Sequence, residues 1–237
     1  MREMKKIVRK IVNNFGIDIV KLEKATGLDN PYCQYSKVKS NIVDVEMLGK
    51  MSLSIPGMIT PEAGKFLYSL CYMQDLEGDV VEVGSWQGRS STFLARAVKE
   101  SRNGKFYAID HFGGNVGKEE FYAINGSMDS LKDNFNWNLS KFGLLDTVNL
   151  LDMVNTEACE KIKGRKVRFL FIDGDHTKDG VKKDIELFFP RLEKGSIVVF
   201  DDYFDGYLGL IEAVDEILEK YNFDRVFYHR HTLVIKI

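Results

Sequence analysis

At 237 residues, with 44% hydrophobic and 29% charged side chains, the chain is long enough for one large domain, or a domain with an appendage, and too apolar for a disordered polymer. A net charge of −2 supplies no general drive toward nucleic acid, and no apolar run reaches the roughly 18 residues that a membrane span needs. The three cysteines, Cys33, Cys71 and Cys159, are scattered, odd in number and without zinc spacing, as expected of reduced thiols in a cytoplasmic protein.

Residues 2–24 carry Ile7, Ile11 and Phe15 at helical spacing, with Val8, Val12 and Ile19 beside them and basic residues on the other face. Arg9, Lys10, Asn13 and Asn14 interrupt the apolar residues and make a poor signal peptide. The pattern predicts an amphipathic helix that packs on the core or on a second subunit; a helix lying on a membrane surface is the alternative. Residues 25–60, with Gly27, Pro31, Gly49, Pro56 and Gly57, read as loops with short turns. Pro61-Glu62 then opens a helix that runs to Met73.

An alternation follows. Strands are expected at 79–84, 105–110, 147–151, 167–173, 196–201, 224–229 and 232–236, and helices at 89–100, 128–142, 155–163, 178–190 and 209–221 separate the first six. Strands alternating with helices give an α/β fold: a mostly parallel sheet with helices on both faces. Only Arg230 and His231 separate the last two strands, so a tight hairpin with an antiparallel strand is expected to finish the sheet. The loop 111–127, with Gly113, Gly114 and Gly117, is long for a compact domain, and loops of that length serve as lids or substrate-binding segments or are surface excursions.

Glu82-Val83-Gly84-Ser85-Trp86-Gln87-Gly88 joins the first strand to a helix. Glycines there let backbone approach a ligand, and the helix N-terminus presents free amides. Such glycines also serve tight strand–helix packing alone. Asp110 ends the next strand, 26 residues past Gly84, where a carboxylate can accept both hydroxyls of a ribose. Spacing of this kind is shared by dinucleotide and S-adenosylmethionine sites. Glu82 separates the two, because a carboxylate repels a pyrophosphate and suits a ligand with a cationic amino acid moiety.

Two acidic clusters also end apolar strands. Phe171-Ile172-Asp173-Gly174-Asp175-His176 is followed, 28 residues after Asp173, by Asp201 and Asp202. In an open α/β sheet, ligands bind outside the carboxyl ends of the strands. Aspartate oxygens gathered there suit a hard divalent cation such as Mg²⁺, and His176 is a proton acceptor near neutral pH. Each group has a structural reading too. The aspartates can bond backbone amides after a strand, Asp175 can brace the turn, and His176 can cap the next helix. His229 and His231 fall in the hairpin as structural residues.

With these residues in place, the chain resembles the class I S-adenosylmethionine-dependent methyltransferases, and within them the macrocin O-methyltransferase group, which acts with a metal on sugar hydroxyls. It shares features with catechol and caffeoyl-CoA O-methyltransferases. The resemblance covers roughly 58–237 and rests on VEVGSWQGRSS (81–91), FYAIDHFGG (106–114), FLFIDGDHTKDGVKKDIE (169–186) and LEKGSIVVFDDY (192–203). It implies a Rossmann-like methyltransferase domain over 58–237 with an N-terminal helical and loop appendage over 1–57. It places Glu82, Gly84, Ser85 and Gly88 around the methionine moiety, with Trp86 where many members have a middle glycine. Asp110 matches the ribose acid, and Leu151-Asp152-Met153 would lie beside the adenine. Asp173, Asp201 and Asp202 match the metal carboxylates, and His176 matches the general base.

The expected function is therefore S-adenosylmethionine-dependent O-methylation, assisted by Mg²⁺ or another divalent cation, of a hydroxyl on a sugar or other vicinal diol. The partner is a small-molecule or glycan acceptor, with no nucleic acid and no membrane insertion; the N-terminal helix would suit a homo-oligomer contact. The alternatives are a nicotinamide- or nucleotide-binding Rossmann-type oxidoreductase and a non-catalytic S-adenosylmethionine-binding protein.

Overall fold

The computed structural model describes residues 45–114 and 130–237. The amphipathic stretch 2–24, Cys33 and most of the loop 111–127 lie outside the described residues.

Chain order is α1 (45–52), α2 (Pro61–Met73), β1 (Asp79–Val83), α3 (Arg89–Ser101), β2 (Phe106–Asp110), α4 (Leu131–Lys141), β3 (Val148–Asp152), α5 (Asn155–Lys161), β4 (Val167–Ile172), α6 (Lys178–Phe188), β5 (Leu192–Phe200), α7 (Leu208–Lys220), β6 (Arg225–His229) and β7 (Thr232–Lys236). The seven strands form one sheet in the order β3-β2-β1-β4-β5-β7-β6. β1 to β5 pair in parallel, and β7 runs antiparallel to both β5 and β6. The expected hairpin forms, with the antiparallel strand inside the sheet and β6 at the edge.

Alternation along the central strands explains the two-faced core. Val80, Phe106, Ala108, Phe169, Phe171 and Val199 face α2, α3 and α4. Val81, Val83, Leu170, Ile172, Val198 and Phe200 face α5, α6 and α7. β1 and β4 are buried along their whole length, so burial of each large side chain contributes about 1.5–3 kcal/mol. Arg168 interrupts the apolar run of β4 yet is fully buried. Its guanidinium donates to the carbonyls of Cys71 (2.7 Å), Gly78 (3.2 Å) and Asn103 (3.2 Å), which offsets its removal from water.

Two segments depart from the sequence expectation. Residues 45–52, read as loop, are helical, with Leu48 and Ser52 buried and Ser52 Oγ donating to the Gly49 carbonyl at 2.7 Å. A single short amphipathic stretch containing a glycine carries little periodic signal. β5 starts at Leu192 rather than at 196, and Gly195 takes φ +94° inside it. Its Glu-Lys-Gly sequence reads as a turn, but pairing with the neighbouring strands keeps it in the sheet.

Strand register assembles the site. Val83 lies beside Ile109 on one side and Ile172 on the other, and Ile172 lies beside Phe200. The next residues, Gly84, Asp110, Asp173 and Asp201, therefore emerge side by side. The strand order reverses between β1 and β4, which is where an open α/β sheet leaves a crevice.

Candidate active site

That crevice holds a cleft of about 320 Å³ whose lining includes Gly84, Ser85, Trp86, Asp110, Asp173, His176, Asp201 and Asp202, with Pro56–Ile59, Arg89, Phe112 and Tyr207 among the other wall residues. The glycine loop and both acidic clusters thus share one cavity.

On the β1 side, Asp110 organises the loop. Its Oδ2 accepts the backbone N–H groups of Ser85 (3.0 Å) and Trp86 (2.7 Å), and its Oδ1 accepts that of Phe112 (2.7 Å). An ionised carboxylate has about four acceptor positions, so capacity remains for a ribose hydroxyl. Gly84 takes φ +87°, and Trp86 takes φ +41°, a left-handed conformation that a glycine would adopt without strain. The tryptophan therefore occupies a glycine-like backbone position with its side chain along the cleft wall.

Glu82 lies beneath this loop and does not line the cleft. It is fully buried, and its Oε2 accepts the Ser91 hydroxyl at 2.5 Å. Burial pushes its carboxyl up to about 8; the serine hydroxyls of Ser90 and Ser91 oppose the shift, and the charges of Asp173 and Asp110 add to it. Gly88 is set back as well. It caps α3 with φ +87°, and a β-carbon there would stand 2.4 Å from Leu139 Cδ2, so its described role is packing against α4.

On the β4 side, Asp173, His176 and Asp202 each offer a ligand atom, all within 4.8 Å of one another. His176 Nε2 stands 3.6 Å from Asp173 Oδ1 and 3.6 Å from Asp202 Oδ2. Its ring packs on Tyr207, centroids 4.4 Å apart, and Phe204 meets Tyr207 edge-on. Asp202 holds φ +56°, a costly conformation outside glycine. The group that meets here contains His176 in place of Asp201. Asp201 lines the same cleft, but its Oδ1 accepts the Thr232 hydroxyl at 3.0 Å, and burial raises its pKa.

Asp175 does not line the cleft. It braces the turn: its Oδ1 accepts the Thr177 N–H at 2.9 Å, and Thr177, not His176, caps α6. His111 lines the cleft while its Nδ1 accepts the Gly113 N–H at 2.9 Å. Asp152 ends β3 outside the cleft, paired with Lys132 at 2.8 Å. His229 packs on Phe66 and His231 on Phe204.

Sequence reasoning missed Arg89 and Tyr207 and gave no specific place to Pro56–Ile59. Arg89 Nε donates to the Ile55 carbonyl at 2.8 Å and Nη1 to that of Ile59 at 3.0 Å. One guanidinium thus holds the 55–59 loop on the cleft rim. The Gly-x-x-x-Gly-Arg order marks a helix start, but no spacing announces a carbonyl clamp.

Residues 81–203 match a family model described as a methyltransferase domain. The fold is also similar to that of solved O-methyltransferases. NovP aligns with TM-score 0.60 at 20% identity, covering 76% of this chain and 81% of that one. An O-methyltransferase from Bacillus cereus in complex with SAH gives 0.58 at 17%, covering 91% and 100%. TomG from Streptomyces achromogenes, in complex with SAM, gives 0.58 at 15%, covering 81% and 88%.

Proposed function

Since this chain belongs to the methyltransferase domain family, we propose that it is an S-adenosylmethionine-dependent, divalent-metal-assisted O-methyltransferase acting on a hydroxyl of a sugar or other vicinal diol. The observation that carries this reading is that one cleft joins the Gly84–Trp86 loop and Asp110 to the Asp173–His176–Asp202 group. Similar O-methyltransferases have been solved with SAM or SAH bound, which supports the cofactor assignment.

The residues fit the two groups. Gly84 leaves no side chain between the loop and the ligand space, Asp110 has acceptor capacity for ribose, and the buried Glu82 carboxylate lies behind the methionine end. Asp173 and Asp202, with Asp201 beside them, form a hard oxygen donor set for Mg²⁺ or another divalent cation. When bound, that cation would lower the pKa of a chelated hydroxyl and fix its position.

His176 then accepts the hydroxyl proton at Nε2, the atom it turns toward Asp173 and Asp202. The ring contact with Tyr207 orients the imidazole, and the carboxylates stabilise the imidazolium as it forms. Trp86 and the 56–59 loop wall the cleft. Holding the acceptor oxygen in line with the methyl group can supply a large share of the acceleration. In this reading residues 58–237 form the methyltransferase domain and residues 1–57 an appendage to it.

The test is calorimetric titration with S-adenosylhomocysteine, followed by methyl-transfer assays on vicinal-diol acceptors with and without Mg²⁺. Cofactor binding with Mg²⁺-dependent transfer is expected. Absence of cofactor binding by the folded chain would overturn the reading, and transfer indifferent to chelation would remove the metal from it.

A further inference from the structure

We propose that Glu82 is a buried counter-charge that holds a proton while the cleft is empty and releases it when a cationic cofactor enters, so that the site distinguishes the sulfonium cofactor from its neutral thioether product. The inference rests on the cofactor reading above and goes beyond it.

Among the described residues, the geometry is that of an acid whose charged neighbours are both negative. Glu82 has no exposure, and its register partners across the sheet are the apolar Ala108 and Phe171. From α3, the Ser91 hydroxyl donates to Oε2, and the Ser90 hydroxyl is also hydrogen-bonded to the carboxyl, both favouring its charged form. Oε1 is buried with no hydrogen-bond partner among the described residues. The charged groups that act on it are Asp110 at the end of β2 and Asp173 at the end of β4, both negative. An ionised carboxylate with one oxygen unsolvated and two negative neighbours is costly, and a proton on Oε1 removes that cost.

A ligand in the cleft changes the balance. S-adenosylmethionine carries an ammonium, a carboxylate and a sulfonium, a net charge of +1, and the loop residues Gly84–Ser85 that follow Glu82, with Asp173, line that cleft. Positive charge in a poorly screened site would favour the ionised carboxylate. Methyl transfer forms an O–CH₃ bond, breaks the S–CH₃ bond and leaves the electron pair on sulfur. The cofactor thereby loses one positive charge, and Glu82 loses part of the reason to stay ionised. Glu82 does not line the cleft and would act through the field at its floor.

The experiment is calorimetry on the full chain without added metal, near pH 6.5, where the ligand α-amino group is charged. S-adenosylmethionine and S-adenosylhomocysteine are titrated separately in two buffers of different ionisation enthalpy, which gives the protons released per ligand bound. Wild type is expected to release close to one proton with the sulfonium and fewer with the thioether. Its affinity for the sulfonium should rise by nearly tenfold per pH unit between about pH 5.5 and 7. Glu82→Gln should release correspondingly fewer protons, with a nearly flat affinity profile. Binding by both proteins with equal proton counts would overturn the assignment while leaving the cofactor reading intact. Failure of either ligand to bind wild type would overturn the cofactor reading and this one with it. Should Glu82→Gln not fold, Ser91→Ala removes a hydrogen bond that favours the charged form and should move proton release to higher pH. An unmoved release curve would overturn the proposal.

Discussion

A β-carbon on Gly84 would stand 2.3 Å from the carbonyl oxygen of Asp173, closer than any real contact allows. The two strand ends are therefore drawn together through a position that only glycine can fill, and the cleft opens where they meet. Gly84 also takes φ +87°, so alanine there meets backbone strain as well as a clash with main chain that has no flexible end to move. Gly84→Ala should lose about 2 kcal/mol or more, seen as a Tm lower by about 4–8 °C. S-adenosylhomocysteine binding should be lost with it. A variant that melts and binds like wild type would show that the loop relaxes without this approach.

The strand ends were legible because parallel, fully buried strands write themselves as continuous apolar runs, and the acid that stops each run marks its carboxyl end. Asp110, Asp173, Asp201 and Asp202 were located that way. Asp152 has the same signature but reaches Lys132 outside the cleft, because β3 is the edge strand, away from the crevice. Gly88 looked like a ligand glycine, while its described neighbours are Leu139 and Phe135. Arg89 and the 55–59 loop could not be read, since a guanidinium bonding carbonyls 30 and 34 residues away leaves no periodicity. The hydrogen bond that Thr232 donates to Asp201 from the final hairpin was equally hidden, because no local spacing links the two.

Arg89 makes a prediction of its own. Its planar fork spans two carbonyls of the rim loop, and a β-carbon on Gly57 would meet the Arg89 side chain at 2.8 Å. Lysine keeps the charge and cannot span both acceptors. Arg89→Lys should cost about 1–3 kcal/mol and raise the acceptor KM more than it lowers kcat, since the rim loop borders the cleft without reaching the reacting group. Steady-state kinetics with a working acceptor checks this, and a fall confined to kcat would argue against a positioning role.

His176 and Asp202 should separate in kinetics, although they stand 3.6 Å apart. If His176 is the base, His176→Ala lowers turnover by about 10²–10⁴-fold, leaving cofactor affinity and the Mg²⁺ concentration for half-maximal activity unchanged. Asp202→Asn should instead raise that Mg²⁺ concentration, and chelation should silence wild type without displacing S-adenosylhomocysteine. Unchanged turnover in His176→Ala would remove it as the base. A shifted Mg²⁺ requirement in that variant would make it a metal ligand.

Buried acids contribute a fall of stability with rising pH in the ligand-free protein, opposed by acids such as Glu216 that paired lysines shift down. Burial raises Glu82 to about 8 and Asp184 to about 7, while Asn155, donating to Asp184 Oδ1 at 2.6 Å, opposes the second shift. Both values lie above the usual carboxylate range, so between about pH 4 and those values the native state binds more protons than the unfolded chain. Unfolding free energy must then fall as pH rises through this window, with the loss complete above about pH 8. Asp201, also raised by burial, adds in the same direction. The loss is expected to fall between about pH 5 and 9. Asp184→Asn removes one share of it and should therefore be more stable than wild type at the alkaline end. Denaturant melts at several pH values decide the matter. Stability that rises to an alkaline plateau would mean that these carboxyls are already ionised in the native state.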